Sequence, residues 1–389
     1  MRPDRIPSLR RGHGFSLIEL LVATTLGLLL LAGLGTLFLS TSRSYRENDL
    51  IAGMQDQARF ALATISRDLS MAGYWGGMMG TDNIVPNLSN ESTDDDLSRG
   101  TVGMPAASDC GPSGQTWTFD TNAPLEFRNH DSATSVAAQW NCVGEARAGT
   151  DALALRHVSG QMTGQMASGD GEVTLRAFHF YLQTNGTQGT LTRWGAAARA
   201  APDALEQPAL APMSFYRYYP RIYFVRDWSL TRGDGVPTLC RKELCPSGFA
   251  PNSDPELATC GTGALNAAGY YSECIAEGVE DMQLVWGLDD LDDNDETVDH
   301  YSATPTAEEV ARQARSVQVH LLVRSRRSDA QHTDRKTYRL ADKEAFTPGT
   351  VADAVGTAGD QQTRHFYRRA YSTTVQLRNL GIQGGTAIK

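Results

Sequence analysis

Residues 14–39 read GFSLIELLVATTLGLLLLAGLGTLFL, a stretch with a single charged residue, Glu19. The next charge along the chain is Arg43, so the 23 residues 20–42 are all uncharged. At about 1.5 Å per residue, a helix of that length crosses the hydrocarbon core of a bilayer. The sequence therefore predicts one transmembrane helix in this stretch.

The flanking residues indicate an orientation for this helix. Four arginines and one acid lie in the preceding segment, MRPDRIPSLRRGHG. Cationic flanks stay in the cytoplasm, which places the bulk of the chain outside. A secretory signal peptide has a shorter apolar region and a small-residue cleavage site, neither of which is found here. The context of Arg10-Arg11 fits a twin-arginine signal poorly. A plain signal anchor explains the length and the flanks but does not explain Glu19.

Glu19 is unusual because a carboxylate deep in a bilayer costs about 2.5 kcal/mol or more. The sequence around it, GFSLIELLVA (14–23), resembles the prepilin signal of type IV pilins and type II secretion pseudopilins. The resemblance implies that prepilin peptidase cuts between Gly14 and Phe15 and that Phe15 is then methylated. Cleavage creates a cationic amine at Phe15, which Glu19 would neutralise in its own chain or in a neighbouring subunit. Loss of the leader, with four arginines and one aspartate, changes the net charge from −10 to −10 − 3 = −13.

The helical pattern continues beyond the membrane segment. Apolar or small residues recur every three or four positions, as expected for one buried face of an amphipathic helix. Gly73 is a stop signal for this helix. The stripe consists of Leu50, Met54, Ala58, Ala61, Ile65, Leu69 and Ala72.

The end of this helix resembles a narrower group, the PilW-like minor pilins. The stretch QDQARFALATISRDLSMAGYWGG (55–77) is similar to that family's "ARFAL…RD…MAGY.G" pattern. Later segments resemble the family's strands in the same order. They are residues 151–160, 221–243, 274–290, 315–327 and 368–380.

The remainder of the chain reads as β structure. Val317, Val319, Leu321 and Val323 alternate with other residues, which is the period of a half-buried strand. We therefore predict an α+β, pilin-like fold, with the long helix packed on an antiparallel β-sheet domain that has long, disulfide-bearing loops. The predicted parts are a leader (1–14), a long helix (15–75, with 15–42 as transmembrane or fibre core and 43–75 amphipathic), a loop-rich connection (76–150) and a β-rich globular domain (151–389).

All six cysteines follow the transmembrane stretch, on the predicted periplasmic side, where disulfides form. Cys110 and Cys142 stand apart in the first loop region, which favours a bond between them. The other four, Cys240, Cys245, Cys260 and Cys274, pair either as 240–245 with 260–274 or in a nested arrangement. A zinc site is the alternative, but neither C-x₂-C spacing nor a nearby histidine pair supports it.

An acidic run at residues 289–299 is a candidate calcium loop. Asp290, Asp292 and Asn294 follow D-x-D-x-N spacing, and Asp299 is a candidate fourth ligand. The fit is incomplete, because the sixth position is Asp295 where an EF-hand has glycine. The alternative is a solvated acidic turn between two strands. The protein requires no cofactor in this interpretation, with Ca²⁺ as an optional ligand.

Composition excludes some functions. The net charge of −10 argues against a general nucleic-acid binder, and mean hydropathy of −0.35 excludes a polytopic membrane protein.

Basic clusters at 324–327 and 364–369 are either solvated strand ends or contacts for DNA. The aromatic stretch 214–224 packs in a sheet or forms an adhesive surface. Since no G-x-S-x-G, H-E-x-x-H or Walker A motif occurs, we do not expect an enzyme.

Together these observations predict a minor pilin of the type IV pilus that acts in assembly or initiation at or near the fibre tip. The resemblance implies roles in twitching motility and attachment. The implied partners are prepilin peptidase, other minor pilins, the major pilin and, before assembly, the inner membrane. A type II secretion pseudopilin and a tip adhesin or DNA receptor are the alternatives; the sequence does not support a DNA or surface ligand directly.

Overall fold

The chain divides into two compact units, Met1–Ala52 and Gly53–Lys389. Helix α1, Leu17–Met71, begins in the first unit and ends in the second. Gly14 and the rest of the predicted leader lie outside the described residues. The structure is a computed structural model, and it describes residues 15–78, 80–86, 109–111, 117–129, 133–166, 175–176, 179–193, 213–263, 268–290, 295–343, 345–349 and 361–380.

In the first unit, α1 exposes apolar side chains around its circumference. Leucine dominates this segment, and leucine favours helix. The hydroxyl groups of Thr24 and Thr25 donate to the carbonyl of Leu21, so these polar groups are satisfied within the helix. Such a surface is stable only against lipid or against other apolar helices.

In the second unit, α1 buries one face. The six predicted stripe positions that lie in this unit are all buried, as the periodicity indicates; Leu50 lies in the first unit. The helix ends before Gly73, whose φ of +75° suits glycine. The Gly73 amide then donates to the carbonyl of Arg156. The buried positions are Met54, Ala58, Ala61, Ile65, Leu69 and Ala72.

Strands make up most of the regular structure after α1. They are β1 (Ile84–Pro86), β2 (Leu125–Arg128), β3 (Ala152–Val158), β4 (Gly164–Met166), β5 (Phe180–Thr184), β6 (Gly189–Arg193), β7 (Met213–Arg226), β8 (Thr238–Cys245), β9 (Gly269–Glu277), β10 (Val279–Leu288), β11 (His300–Ser302), β12 (Ala314–Arg324) and β13 (Arg368–Gln376), with short helices α2 (Ala133–Gln139) and α3 (Ala307–Gln313). Each segment that resembles the PilW-like family contains or overlaps one of these strands. Residues 76–150, expected to be a loop-rich connection, also contain β1, β2 and α2.

The strands form the predicted antiparallel β domain, and they are divided between two sheets. The nine-stranded sheet has the order β1-β6-β5-β7-β3-β2, with β4 and β8 paired to β7 and β9 paired to β8. The four-stranded sheet has the order β11-β10-β12-β13. Among the described pairings, β1–β6 is parallel and the others are antiparallel.

Two apolar cores lie on opposite faces of the larger sheet. Tyr223 and Val225 of β7 join the core formed with the α1 stripe and the four-stranded sheet. Ile222 and Phe224, which point the other way, join a second core around Trp75, Trp140 and the Cys110–Cys142 bond. Because β7 is covered on both faces, its apolar residues are nearly continuous rather than strictly alternating.

A buried carboxylate links three strands of the smaller sheet at one end. Glu280 on β10 accepts from Arg368 Nε on β13 at 2.7 Å, and Arg324 Nη1 on β12 lies 4.0 Å from Glu280 Oε1. All three side chains are almost fully buried. Burial raises the pKa of Glu280, but the two guanidinium groups outweigh it and hold the pKa at about 2.

We expect Glu280 to make stability depend on acid pH. The pKa of Glu280 in the folded protein is below the ordinary value of 4.5. Its contribution to the free energy of unfolding is therefore complete above pH 4.5. The contribution is lost as pH falls from 4.5 toward about 2. Glu280→Gln should lower the unfolding free energy at neutral pH by about 3–5 kcal/mol and flatten this acid limb. Denaturant unfolding of the full chain in detergent, followed by tryptophan fluorescence across pH, measures both effects.

Glu308→Gln is the matched control, because Glu308 forms an exposed pair with Arg312 on α3. This variant should stay within about 0.5 kcal/mol of the parent. An acid limb that is unchanged in Glu280→Gln would show that other groups determine the acid sensitivity.

Candidate assembly site

The N-terminal turn of α1 brings together the described residues of the predicted processing site. Phe15 precedes the helix and is 90% exposed. Glu19 lies in the first turn, and its Oε2 accepts a hydrogen bond from the Ser16 backbone amide at 2.9 Å. A carboxylate in this position satisfies an otherwise free amide and interacts favourably with the helix dipole. The Glu19 carboxylate therefore lies at the Ser16 amide, one residue along the chain from the Phe15 nitrogen.

The apolar surface that follows is large and continuous along the helix. Among the described residues, α1 is the one helix that is long and apolar enough to cross a membrane. Its most apolar 18-residue stretch has a mean hydropathy of 2.3. A Cβ added at Gly27, Gly33 or Gly35 would have no atom of the protein within 4 Å. The helix surface is therefore open at these positions. Small residues of this kind allow another helix to approach closely.

A second polar feature connects α1 to the sheet inside the second unit. Asp68 is buried beside the apolar stripe. Both of its carboxylate oxygens accept from Arg221 Nη1 on β7, at 2.8 and 2.9 Å. One of them also accepts from the Tyr223 hydroxyl. Arg221 then pairs with Glu243 on β8, at 2.8 Å between Nε and Oε2.

The surroundings of Asp68 hold further titratable groups. Burial raises the pKa of Tyr223, and the charge of Asp68 raises it further. His157 Nε2 lies 3.9 Å from Asp68 Oδ1. Burial lowers the pKa of His157, against the opposing effect of Asp68. These shifts keep Tyr223 and His157 neutral near pH 7, so the ionic part of the cluster consists of Asp68, Glu243 and the arginines Arg221 and Arg241.

Sequence reasoning did not single out Asp68. Asp68 belongs to the "RD" pair, Arg67-Asp68, in the stretch of residues 55–77 quoted above. Periodicity alone does not distinguish a buried aspartate from an exposed one. Its neighbour Arg67 is exposed. Which of the two faces the sheet depends on the rotation of the helix, and the sheet carries the partner.

The structure forms three disulfides. They are Cys110–Cys142, the pairing that the sequence favours, together with Cys240–Cys274 and Cys245–Cys260. The last two are nested, so the alternative of 240–245 with 260–274 is wrong. Cys240 and Cys274 are direct partners in the β8–β9 register, which explains the outer bond.

The acidic loop is only partly described, since Asp292 and Asn294 lie outside the described residues. The Asp290 amide donates to Asp299 Oδ2 at 2.7 Å, and His300 Nδ1 lies 3.4 Å from Asp290 Oδ1. Within the described ranges, no group of three or more His, Cys, Asp or Glu side chains is arranged to hold a metal ion. The calcium site therefore stays a prediction.

Each basic cluster contains one buried arginine that neither interpretation includes, whereas Arg326, Arg327 and Arg369 are exposed, as solvated strand ends would be. Arg324 and Arg368 are neither solvated nor available to DNA, because both are buried against Glu280. In the aromatic stretch, Phe215 and Tyr218 are buried while Tyr216 and Tyr219 are half-buried, which is consistent with packing in the sheet.

Comparison with known families agrees with an exposed apolar helix that begins at the predicted processing site and with a β domain. The family described as Prokaryotic N-terminal methylation motif matches residues 9–35. The family described as Type IV Pilus-assembly protein W matches residues 222–379. No curated protein matches the chain, and no solved structure does.

The fold and the N-terminal match support the pilin class of proteins, with a methylation signal at the start of the long helix. The second match covers β7 from residue 222 through β13 and extends to residue 379. The two matches together support a PilW-like type IV pilin, and the second family is one of pilus-assembly proteins.

We expect Asp68→Ala to destabilise the second unit strongly. The substitution leaves the buried Tyr223 hydroxyl without its carboxylate acceptor and leaves Arg221 with Glu243 alone, which together cost about 3–5 kcal/mol. Asp68→Asn keeps an acceptor for the Tyr223 hydroxyl but removes the charge, so its loss should be smaller. Denaturant unfolding of the full chain in detergent measures both variants.

Arg67→Ala provides the control, since Arg67 is exposed on the same turn of α1. It should change stability by about 0.5 kcal/mol or less. Equal losses in Asp68→Ala and Arg67→Ala would mean that helix propensity, not the Asp68 contact, accounts for the effect.

Proposed function

We propose that the protein is a minor pilin that is inserted in the inner membrane, cleaved after Gly14 by prepilin peptidase, methylated at Phe15 and incorporated into a type IV pilus. The observation that carries the proposal is the turn at Phe15 and Glu19, which heads an exposed apolar helix inside a matched methylation motif. The motif and the apolar helix fit membrane anchoring followed by packing in a fibre.

Glu19 has a specific role in this proposal. Removal of the leader leaves an ammonium at Phe15, in an environment that solvates charge poorly. The Glu19 carboxylate lies in the first helical turn, where it can neutralise that ammonium or the one of an adjacent subunit. A pair between subunits would fix the axial position of one helix relative to the next, because a displaced subunit would leave both charges unpaired.

The orientation proposed for the membrane-anchored form has the N-terminus in the cytoplasm and the second unit in the periplasm. Two observations support it. Arginines precede the apolar segment. Three disulfides lie in the second unit, and such bonds persist in an oxidising compartment.

We further propose a place at or near the tip of the fibre, in a complex with other minor pilins and the major pilin that primes assembly. The size of the second unit supports this place, since Gly53–Lys389 is bulky for a densely packed shaft. Twitching motility and attachment would then depend on the protein through fibre assembly. The role is structural in this proposal and involves no enzymatic turnover.

The N-terminal peptide in different cell fractions tests the proposal. In sheared surface fibres, mass spectrometry should find a peptide that begins at N-methylated Phe15. Glu19→Gln removes the charge while keeping the side-chain shape. We expect it to be processed normally yet to be about tenfold less abundant in the fibre fraction, as for the loss of one charge pair.

Glu47→Gln is a control variant, because it removes an exposed charge from the same helix outside the apolar segment. A processed peptide confined to the membrane fraction would favour a type II secretion pseudopilin. An unprocessed N-terminus would show a plain signal anchor and would contradict the fibre role.

We also propose calcium binding by Asp290, Asp292, Asn294 and Asp299, supported by the acidic spacing and by the contact between Asp290 and Asp299. Calcium should raise the unfolding temperature of the parent chain but not that of an Asp290→Asn, Asp299→Asn double variant. Magnesium serves as the control ion. An unchanged unfolding temperature with saturating calcium would contradict the site.

A further inference from the structure

A cavity in the second unit lies between two disulfide-bonded loops. Its volume is about 230 Å³, which is room for a small organic group rather than for single waters alone. Asn141 and Asn252 in its walls are exposed, so the cavity opens to solvent. Its walls include Asp109, Asn141, Phe249, Asn252, Pro255 and Tyr270.

Covalent bonds and buried polar contacts hold the walls of this cavity. The disulfides 110–142 and 245–260 each brace one of the two loops. The Pro255 carbonyl accepts from the buried Lys242 Nζ at 3.1 Å, and the same ammonium pairs with Glu256 at 3.1 Å. The cavity is therefore formed before a ligand arrives, which lowers the entropic cost of binding.

Asp109 contributes a carboxylate of which the protein uses one oxygen. The residue is only 3% exposed. Its Oδ1 accepts from the amides of Cys110 and Thr118 and from the Thr118 hydroxyl, at 2.7, 3.1 and 2.6 Å. Within the described residues, Oδ2 accepts no hydrogen bond and no cation lies within 4 Å of the carboxylate. A buried carboxylate in this state is unfavourable, and a cationic ligand would stabilise it.

The rest of the lining supplies carbon and amides. None of the described lining residues is a lysine or an arginine. Arg156, whose charge acts on Tyr270, is already paired with Glu126 at 2.7 Å. Phe249 and Tyr270 contribute aromatic carbon and Pro255 aliphatic carbon, which suits the apolar stem of a ligand with a charged end.

We propose that this cavity binds an alkylammonium group, with the charge at Asp109 Oδ2 and the alkyl stem against Phe249, Pro255 and Tyr270. The group is carried by a lysine side chain of another protein or by a small free amine. Calcium fits less well, because it takes six to eight oxygen ligands and the cavity offers one free carboxylate oxygen. A neutral sugar would leave the carboxylate charge uncompensated.

Saturation-transfer NMR on the full chain in detergent tests the site with a matched pair of probes. Nα-acetyl-lysine methylamide presents an ammonium on a peptide-like backbone. Nα-acetyl-norleucine methylamide has a similar stem without the charge. We expect the lysine probe to bind at least about tenfold more tightly than the norleucine probe, because hydrogen bonds between charged groups contribute most of the affinity.

Asp109→Asn changes the free oxygen and little else. Asparagine keeps the Oδ1 that holds the loop, while an amide that cannot accept a hydrogen bond replaces Oδ2. We expect the affinity for the lysine probe to fall at least about tenfold. Glu308→Gln removes an equal charge from the exposed surface of α3 and should leave the affinity unchanged. An unchanged unfolding temperature verifies that each variant is folded.

Asn141→Asp tests the charge in the opposite direction and leaves Asp109 in place. A second carboxylate at this exposed position should tighten binding of the lysine probe about threefold, as for an exposed ion pair. The control is Asn122→Asp, at an exposed position outside the cavity lining, which should leave the affinity unchanged. This pair of variants tests the site even where Asp109→Asn fails to fold.

A third probe, n-pentylammonium, distinguishes the two sources of the ligand. Tighter binding of the lysine probe than of n-pentylammonium would assign the cavity to a protein lysine. Equal or tighter binding of n-pentylammonium would assign it to a small free amine.

Several results would overturn the proposal. Equal affinity for the norleucine probe would show an apolar pocket without charge recognition, and unchanged affinity in a folded Asp109→Asn variant would remove the role of Oδ2. Binding of a methyl glucoside without binding of either amine would assign a sugar site instead. The assay contains neither peptidase nor another pilin, so its failure leaves the fibre role untouched.

Discussion

The contact between Asp68 and Arg221 constrains the rest of the second unit. A buried carboxylate without a partner is costly, so α1 packs stably only where Asp68 meets Arg221 and Tyr223. The small residues of the stripe allow the helix to lie close to the sheet but would tolerate several positions along it. Asp68 selects one of them. Through Arg221 and Glu243 the constraint extends to β8, which the Cys240–Cys274 bond joins to β9.

The helix α1 has different surroundings in the two units. In the second unit, apolar residues and charges are both buried, and the charges are paired, as with Glu280 against Arg368 and Lys242 against Glu256. In the first unit the apolar residues stay exposed and require lipid or neighbouring helices. A single chain can thus be anchored in a bilayer and packed in a fibre through its helix while its β domain stays folded in water.

Sequence reasoning succeeded where one local pattern has one physical outcome. The three- and four-residue spacing of the stripe predicted its buried face, and the alternation at 317–323 predicted the inward residues of β12. It failed where the outcome depends on a distant partner. Arg324 and Arg368 look like surface charges in sequence, yet both face the buried carboxylate of Glu280, which belongs to a third strand. The division into two sheets was likewise hidden, because strand pairing is not local.

The sequence by itself determined the apolar helix, its processing motif, the α+β class and the isolated Cys110–Cys142 pair, since each follows from composition or spacing within a short segment. Only the tertiary structure decided the rotation of α1 that buries Asp68, the nested pairing of Cys240 with Cys274 and Cys245 with Cys260, and the cavity that Asp109 lines. These features depend on residues far apart in the chain. They are settled when the sheets place side chains opposite one another, because a buried charge is stable only beside its partner and a disulfide forms only between cysteines at bonding distance.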